Sequence, residues 1–286
     1  MIIISKVLLM LSVIFFASQA CSQTKTDTEQ KTAFRISDQK TISYSEMIDD
    51  LRQVQIVFVG ESHDNPSHHL LQLDIIKALH ASGRPLAAGF EMFTAKSQEI
   101  LDEWVSGSLS QDEFIRAYYV NWNFPWPLYR DILLYVRENK IPAIGLNVEQ
   151  DITSKVARSG FASLTKEELE KLPHDVGCAV DKRYMEFIRR AYAMHRHGDR
   201  GFLFFCQAQL LWDQVMARNL ITFLQKNPDK TVVVITGNGH AWKRGIPEQV
   251  RILSQTIRQR VILPVIPGHI ESRFLSADDA DYLLLP

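Results

Sequence analysis

Short, almost wholly apolar runs recur along the chain, each ending at a glycine or a polar cluster. Gln55–Val59, Leu86–Phe90, Pro142–Leu146, Thr231–Thr236 and Val261–Val265 have the length and branched-aliphatic content of strands buried on both faces. Between and around them, apolar residues fall at helical spacing. Ser67–Ala81 shows it clearly, with Leu70, Leu73, Ile76, Ala78 and Leu79. The same period predicts helices over Lys96–Val105, Gln111–Tyr119, Leu128–Asn139, Asp151–Arg158, Asp181–Arg196, Phe202–Gln225 and Pro247–Ile257. Ser43–Leu51 adds a helix capped by Ser43 or Ser45, and Thr165-Lys166-Glu167-Glu168 resembles a capping box. Phe34–Ile42 predicts a hairpin or arm, and Tyr282–Leu285 a short edge strand. Strands alternating with helices predict an α/β fold with a mainly parallel central sheet flanked by helices. Leu101–Leu134 or Ala179–Leu224 is predicted as a helical cap or insertion. Asn121–Pro127 carries two tryptophans, a phenylalanine and two prolines, which predicts an aromatic loop, either a core plug or a ligand platform.

The first twenty residues depart from this pattern. Lys6 is their only charge, Val7–Ala17 is continuously apolar, and Ser18-Gln19-Ala20 precede Cys21. That order predicts a secretory signal over residues 1–20, too short to span a bilayer as a mature helix. A cysteine directly after small residues resembles a bacterial lipobox, although Ser18 stands where such a box usually has a large aliphatic residue. Lipidation of Cys21 would anchor the chain to a membrane, and plain secretion is the alternative. Ser22–Lys31 has no large apolar residue, so residues 21–32 are expected to be a flexible tether and 33–286 a single α/β domain.

Composition narrows the partners. The chain is 46% hydrophobic and 23% charged with a formal net charge of −1, giving no basis for nucleic-acid binding. Besides Cys21, only Cys178 and Cys206 occur; they do not make a disulfide framework, though outside the cytoplasm they have the option of pairing. There is no Gly-x-Ser-x-Gly elbow, no phosphate-binding loop and no dinucleotide glycine fingerprint.

Two segments repeat one pattern, an apolar strand followed by Gly-x-x-His: Gly60-Glu61-Ser62-His63 and Gly237-Asn238-Gly239-His240. A third strand ends in a carboxylate, Gly89-Phe90-Glu91. Parallel sheets gather functional side chains at the carboxyl ends of their strands. Glu61, His63, Glu91 and His240 are therefore expected in one pocket, as a divalent-metal set or as acid–base groups. His68 and His69 open the following helix, facing the same cleft or simply starting it in a polar way. Asn147 closes another strand, as a ligand contact or a turn residue. Gln209 and Asp213 sit one turn apart on an apolar helix, either orienting an imidazole or forming a buried hydrogen-bonded pair.

Several motifs together resemble the ChaN-like lipoproteins. They are Val59-Gly60-Glu61-Ser62-His63-Asp64-Asn65-Pro66, Gly89-Phe90-Glu91-Met92-Phe93, Gln209-Leu210-Leu211-Trp212-Asp213 with Met216-Ala217, and Gly237-Asn238-Gly239-His240 followed by Gly245-Ile246-Pro247. The likeness runs from about Ser43 to Leu285 in the same order. It implies a haem-binding lipoprotein serving haem and iron uptake, working with an outer-membrane uptake system from a lipid-anchored, extracytoplasmic position. It also places the chain near the Tiki, TraB and erythromycin-esterase-like proteins, some of which are metal-dependent proteases or esterases, so a metal-dependent hydrolase using Glu61, His63, Glu91 and His240 is the alternative. The resemblance implies haem held between subunits of a homodimer. Tyr192, His195 and Tyr184, on the predicted helix Asp181–Arg196, are the expected haem-binding residues; Tyr192 and His195 share a helix face.

Overall fold

Ile56 and Phe58 pack on one side of the central sheet, Val57 and Val59 on the other, because successive residues of a strand face opposite ways. The computed structural model describes residues 31–177, 179–191 and 199–285. Among these, eight strands form one sheet: β1 (Thr32–Arg35), β2 (Lys40–Ser43), β3 (Ile56–Glu61), β4 (Leu86–Thr94), β5 (Ala143–Asn147), β6 (Thr231–Gly237), β7 (Gln259–Pro264) and β8 (Tyr282–Leu284). Their order is β2-β1-β8-β7-β3-β6-β4-β5. All pairings from β8 to β5 are parallel, and only β1 pairs antiparallel, with β2 and β8. Since Ala33 lies opposite Leu284 and Arg35 opposite Tyr282, β1 starts at the end where the parallel strands finish. The mainly parallel α/β class predicted from the pattern is the one observed.

Eleven α-helices are described: α1 (Tyr44–Leu51), α2 (Pro66–Ala81), α3 (Gln98–Ser106), α4 (Gln111–Asn121), α5 (Trp126–Glu138), α6 (Gln150–Ser159), α7 (Lys166–Leu169), α8 (Lys182–Ala191), α9 (Asp199–Lys226), α10 (Asn238–Ala241) and α11 (Ile246–Leu253). Residues from α1 to α5 pack with Val57, Val59, Phe90 and Ile235 on one face. Residues from α8, α9 and α11 pack with Ile56, Phe58, Val232 and Val234 on the other. None of the described helices is long and apolar enough to cross a membrane.

Local rules explain most boundaries. The Ser43 side chain accepts from the Glu46 amide and caps α1, and Thr165 and Glu168 form the predicted capping box. Gly160, at φ +82°, stops α6. The aromatic loop is shorter than predicted. Pro125 is the N-cap of α5 and Pro127 lies in its first turn, where a missing N–H costs nothing, so only Trp122–Pro125 is irregular. Thr32, expected as the last tether residue, already belongs to β1. The predicted signal segment, Cys21, Cys178, Tyr192, His195 and His197 lie outside the described residues.

Candidate functional site

The two Gly-x-x-His segments meet because β3 and β6 are neighbours, with Gly60 beside Thr236 and Glu61 beside Gly237. Each glycine makes room for the other segment. A β-carbon on Gly237 would stand 2.7 Å from Cε1 and 3.0 Å from Nε2 of His63, and one on Gly60 would stand 2.5 Å from Oδ1 of Asn238. Glu91 comes from β4, which does not end there as predicted. The strand runs on through Met92 and Phe93 to Thr94, and its register against β5 shifts between Phe90 and Thr94. Such a shift bends a strand and re-aims its side chains. Here it accompanies a Glu91 carboxylate that reaches across to Thr236 and Gly237 of β6. Asn147, at the end of β5, donates from Nδ2 to the Glu91 carbonyl (2.8 Å) and accepts the Val148 amide on Oδ1 (2.8 Å), tying the bulge down.

The acids and imidazoles are grouped in couples. Glu61, buried at 1% exposure, accepts on Oε1 from His63 Nδ1 (2.8 Å) and from the Tyr129 hydroxyl (2.6 Å). Its Oε2 lies 2.6 Å from Nδ1 of His69, a close charge contact without an aligned hydrogen bond. His69 Nε2 donates to the His63 carbonyl at 3.1 Å. Burial opposes the charge on Glu61, but the hydrogen bond from His63 and the close contact with His69 outweigh it and hold the carboxyl at about 2, below its usual 4.5. Burial likewise opposes charge on His63 and His69, and the Glu61 carboxylate reverses it, raising both. Burial lowers His68, whose Nδ1 accepts the Ser62 amide.

On the other side, His240 Nδ1 donates to Asp213 Oδ1 at 2.7 Å, and the Tyr184 hydroxyl donates to Asp213 Oδ2 at 2.6 Å. Burial pushes the Asp213 carboxyl up. His240 is raised despite burial, through the charges of Glu91 and Asp213. Glu91 Oε2 accepts from the Thr236 hydroxyl (2.5 Å) and the Gly237 amide (2.7 Å), while its Oε1 stays 3.9 Å from His240 Nε2.

All four predicted residues line one cavity of about 860 Å³ at the strand ends, within the range of small-molecule sites. Asn147 and Gln209 line it too, and Asp213 stands behind His240 as an orienting group. The expected divalent-metal set does not form. No group of three or more His, Cys, Asp or Glu among the described residues has a metal-holding arrangement. Both Glu61 oxygens are turned to His63, Tyr129 and His69, and Glu91 Oε2 to Thr236 and Gly237, while the Nδ1 bonds to Glu61 and Asp213 orient the two imidazoles without engaging their Nε2. Tyr184 is 5% exposed, its hydroxyl on Asp213. Cys206 is a buried free thiol.

Tyr129 was not foreseen, whereas Trp122 and Phe124 belong to the predicted aromatic loop. Tyr129 was legible as buried from the helical period of α5, but nothing local says that it reaches Glu61. Trp212 stands edge-on to His240 (5.8 Å between ring centres), and Trp122 and Phe124 flank His63 at 5.1 and 4.9 Å. The Tyr118 hydroxyl donates to the Phe124 carbonyl (2.8 Å), and the Trp126 amide donates to the Tyr119 hydroxyl (3.0 Å), so the loop is pinned as one wall of the cavity.

Fold and site together define a parallel α/β protein whose cavity is framed by a pair of Gly-x-x-His strand ends. A model of the family described as "Haem-binding uptake, Tiki superfamily, ChaN" matches residues 47–250, most of the chain, and the chain belongs to that family. Its fold is similar to that in "Cofacial heme binding to ChaN of Campylobacter jejuni", with a TM-score of 0.70 and 20% identity over 90% of this chain and 97% of that one. It is also similar to the type III effector HopBA1, with a TM-score of 0.53 and 12% identity over 84% of this chain and 90% of that one. At these identities the likenesses concern the fold. A curated relative, Protein RETICULATA-RELATED 5, chloroplastic, of Arabidopsis thaliana, is 22% identical over 205 residues. That match takes in 66% of this chain and spans only 28% of the relative.

The cavity brings carboxylates and imidazoles together. Glu61, Glu91 and Glu149 line it, and none of its described lining residues is lysine or arginine. Its positive groups are the imidazoles of His63 and His240, both raised by neighbouring carboxylates.

Proposed function

We propose that this protein binds haem for haem and iron uptake, as a lipid-anchored protein outside the cytoplasm. Membership of the haem-binding uptake family over residues 47–250 is the observation that carries this. The helix α8 offers the ligand further positive charges. It exposes Lys182, Arg183 and Arg189 as partners for propionates, beside Glu186 near Lys182 and an Arg190 paired with Asp279, while Tyr184, Phe187 and Ile188 are buried. With the Tyr184 hydroxyl committed to Asp213, Tyr192 and His195 are the residues assigned to the iron side. Haem lies between two copies of the chain in this proposal, and Cys21 carries the lipid.

Titration of the full chain with haemin is expected to give a saturable Soret shift, lost in Tyr192→Phe or weakened in His195→Ala. A featureless, non-saturating titration overturns the proposal. Cys21→Ser is expected to move the protein from the membrane fraction to the soluble one.

A further inference from the structure

The strand-end cavity is left without an occupant by the haem assignment, and its lining has a definite chemistry. Glu61 is paired with the imidazoles of His63 and His69 and accepts from the Tyr129 hydroxyl, and Glu149 is paired with Lys96. Glu91 differs. It is 5% exposed, its Oε2 is held by Thr236 and Gly237, and its Oε1 makes no hydrogen bond among the described residues, with His240 Nε2 3.9 Å away. The same cavity is lined by Trp122 and Phe124, beside His63, and by Trp212, beside His240. A buried carboxylate oxygen without a hydrogen bond, in a cavity that also carries aromatic rings and whose described positive groups are imidazoles rather than lysine or arginine, attracts an organic cation. The aromatic rings favour an organic cation, whose apolar body they can cover.

We propose that this cavity is a second ligand site, separate from that of haem, which takes a small organic ammonium ion with its charge at Glu91 and its apolar body against Trp122, Phe124 and Trp212. The assignment stands whether or not the chain binds haem.

Calorimetric titration of the full chain tests it, with benzyltrimethylammonium as the cation, benzyl alcohol as the neutral probe and phenylacetate as the anion. The cation is expected to bind saturably and at least tenfold more tightly than either other probe. Glu91→Gln, which keeps an acceptor for Thr236 and Gly237, is expected to weaken the cation at least tenfold and leave benzyl alcohol unchanged. If that variant does not fold, Trp212→Leu is expected to weaken the cation in its place. Equal or tighter binding of phenylacetate or benzyl alcohol, no cation binding at millimolar concentration, or full affinity in the folded variant overturns the proposal. Haemin titration repeated with saturating cation is expected to be unchanged; displacement would show one shared site and overturn the separation.

Discussion

The imidazole of His63 occupies the space over Gly237 that any other residue's β-carbon would claim, 2.7 Å from Cε1. Contacts under 3 Å to a β-carbon force something to move. Gly237→Ala is therefore expected to swing His63 off Glu61, destabilise the fold by about 1–3 kcal/mol, and lower the melting temperature by several degrees. Thermal unfolding with a histidine NMR spectrum checks both effects. An unchanged His63 resonance would refute the close approach.

Tyr184 acts on His240 through Asp213. Tyr184→Phe removes the donor at 2.6 Å and leaves Asp213 Oδ2 buried with one hydrogen bond fewer, at a cost of about 1–3 kcal/mol. The carboxylate loses a bond that stabilises its charge, so it pulls harder on the proton of His240, whose pKa is expected to rise further. Titration of the His240 resonance reads the direction; a fall contradicts the coupling.

Glu61 sets the acid limb of stability. Its folded pKa, about 2 against the usual 4.5, is depressed, so its contribution is complete above about pH 4.5 and declines as the pH falls toward 2. At full strength it is worth about 3 kcal/mol by linkage. Glu61→Gln is expected to flatten the dependence of melting temperature on pH in that window. His63 and His69 run the other way: raised by Glu61, they stabilise below their unfolded pKa of 6.5 and lose that contribution as the pH rises through their folded values. The same variant is expected to lower both, visible by NMR.

The aromatic wall depends on Tyr118. Tyr118→Phe deprives the Phe124 carbonyl of its donor at 2.8 Å. Faster hydrogen exchange at the amides of Trp122, Asn123 and Phe124 is expected, with the sheet amides unchanged. Equal protection in the variant would mean that packing alone holds the loop.

What the sequence disclosed follows from what periodicity can carry. The apolar runs before Gly60 and Gly237 located β3 and β6, since strands buried on both faces have few other spellings, and the matched Gly-x-x-His endings put His63 and His240 at one cavity. Periodicity did not show that β4 continues past Glu91, because Met92 and Phe93 extend the apolar run while the register shift leaves no mark in composition. It also marked Asp213 as a polar residue on a buried stripe without naming His240 as its partner, 27 positions on. Tyr129 and Glu61, 68 positions apart, are joined only by tertiary packing. The metal expectation found no support for a related reason: residue types alone do not say that the Glu61 oxygens are already turned to His63, His69 and Tyr129.

β1 begins, and β8 finishes, where the parallel strands end, with Ala33 opposite Leu284. From β1 to β3 is three strand spacings, roughly 14 Å. Tags or surface attachments at residue 31 or Leu285 would therefore crowd the side on which ligands arrive. A short peptide joining those two points, with new ends cut in a loop at the opposite end of the sheet, would make a circular permutant that can be immobilised without covering the cavity.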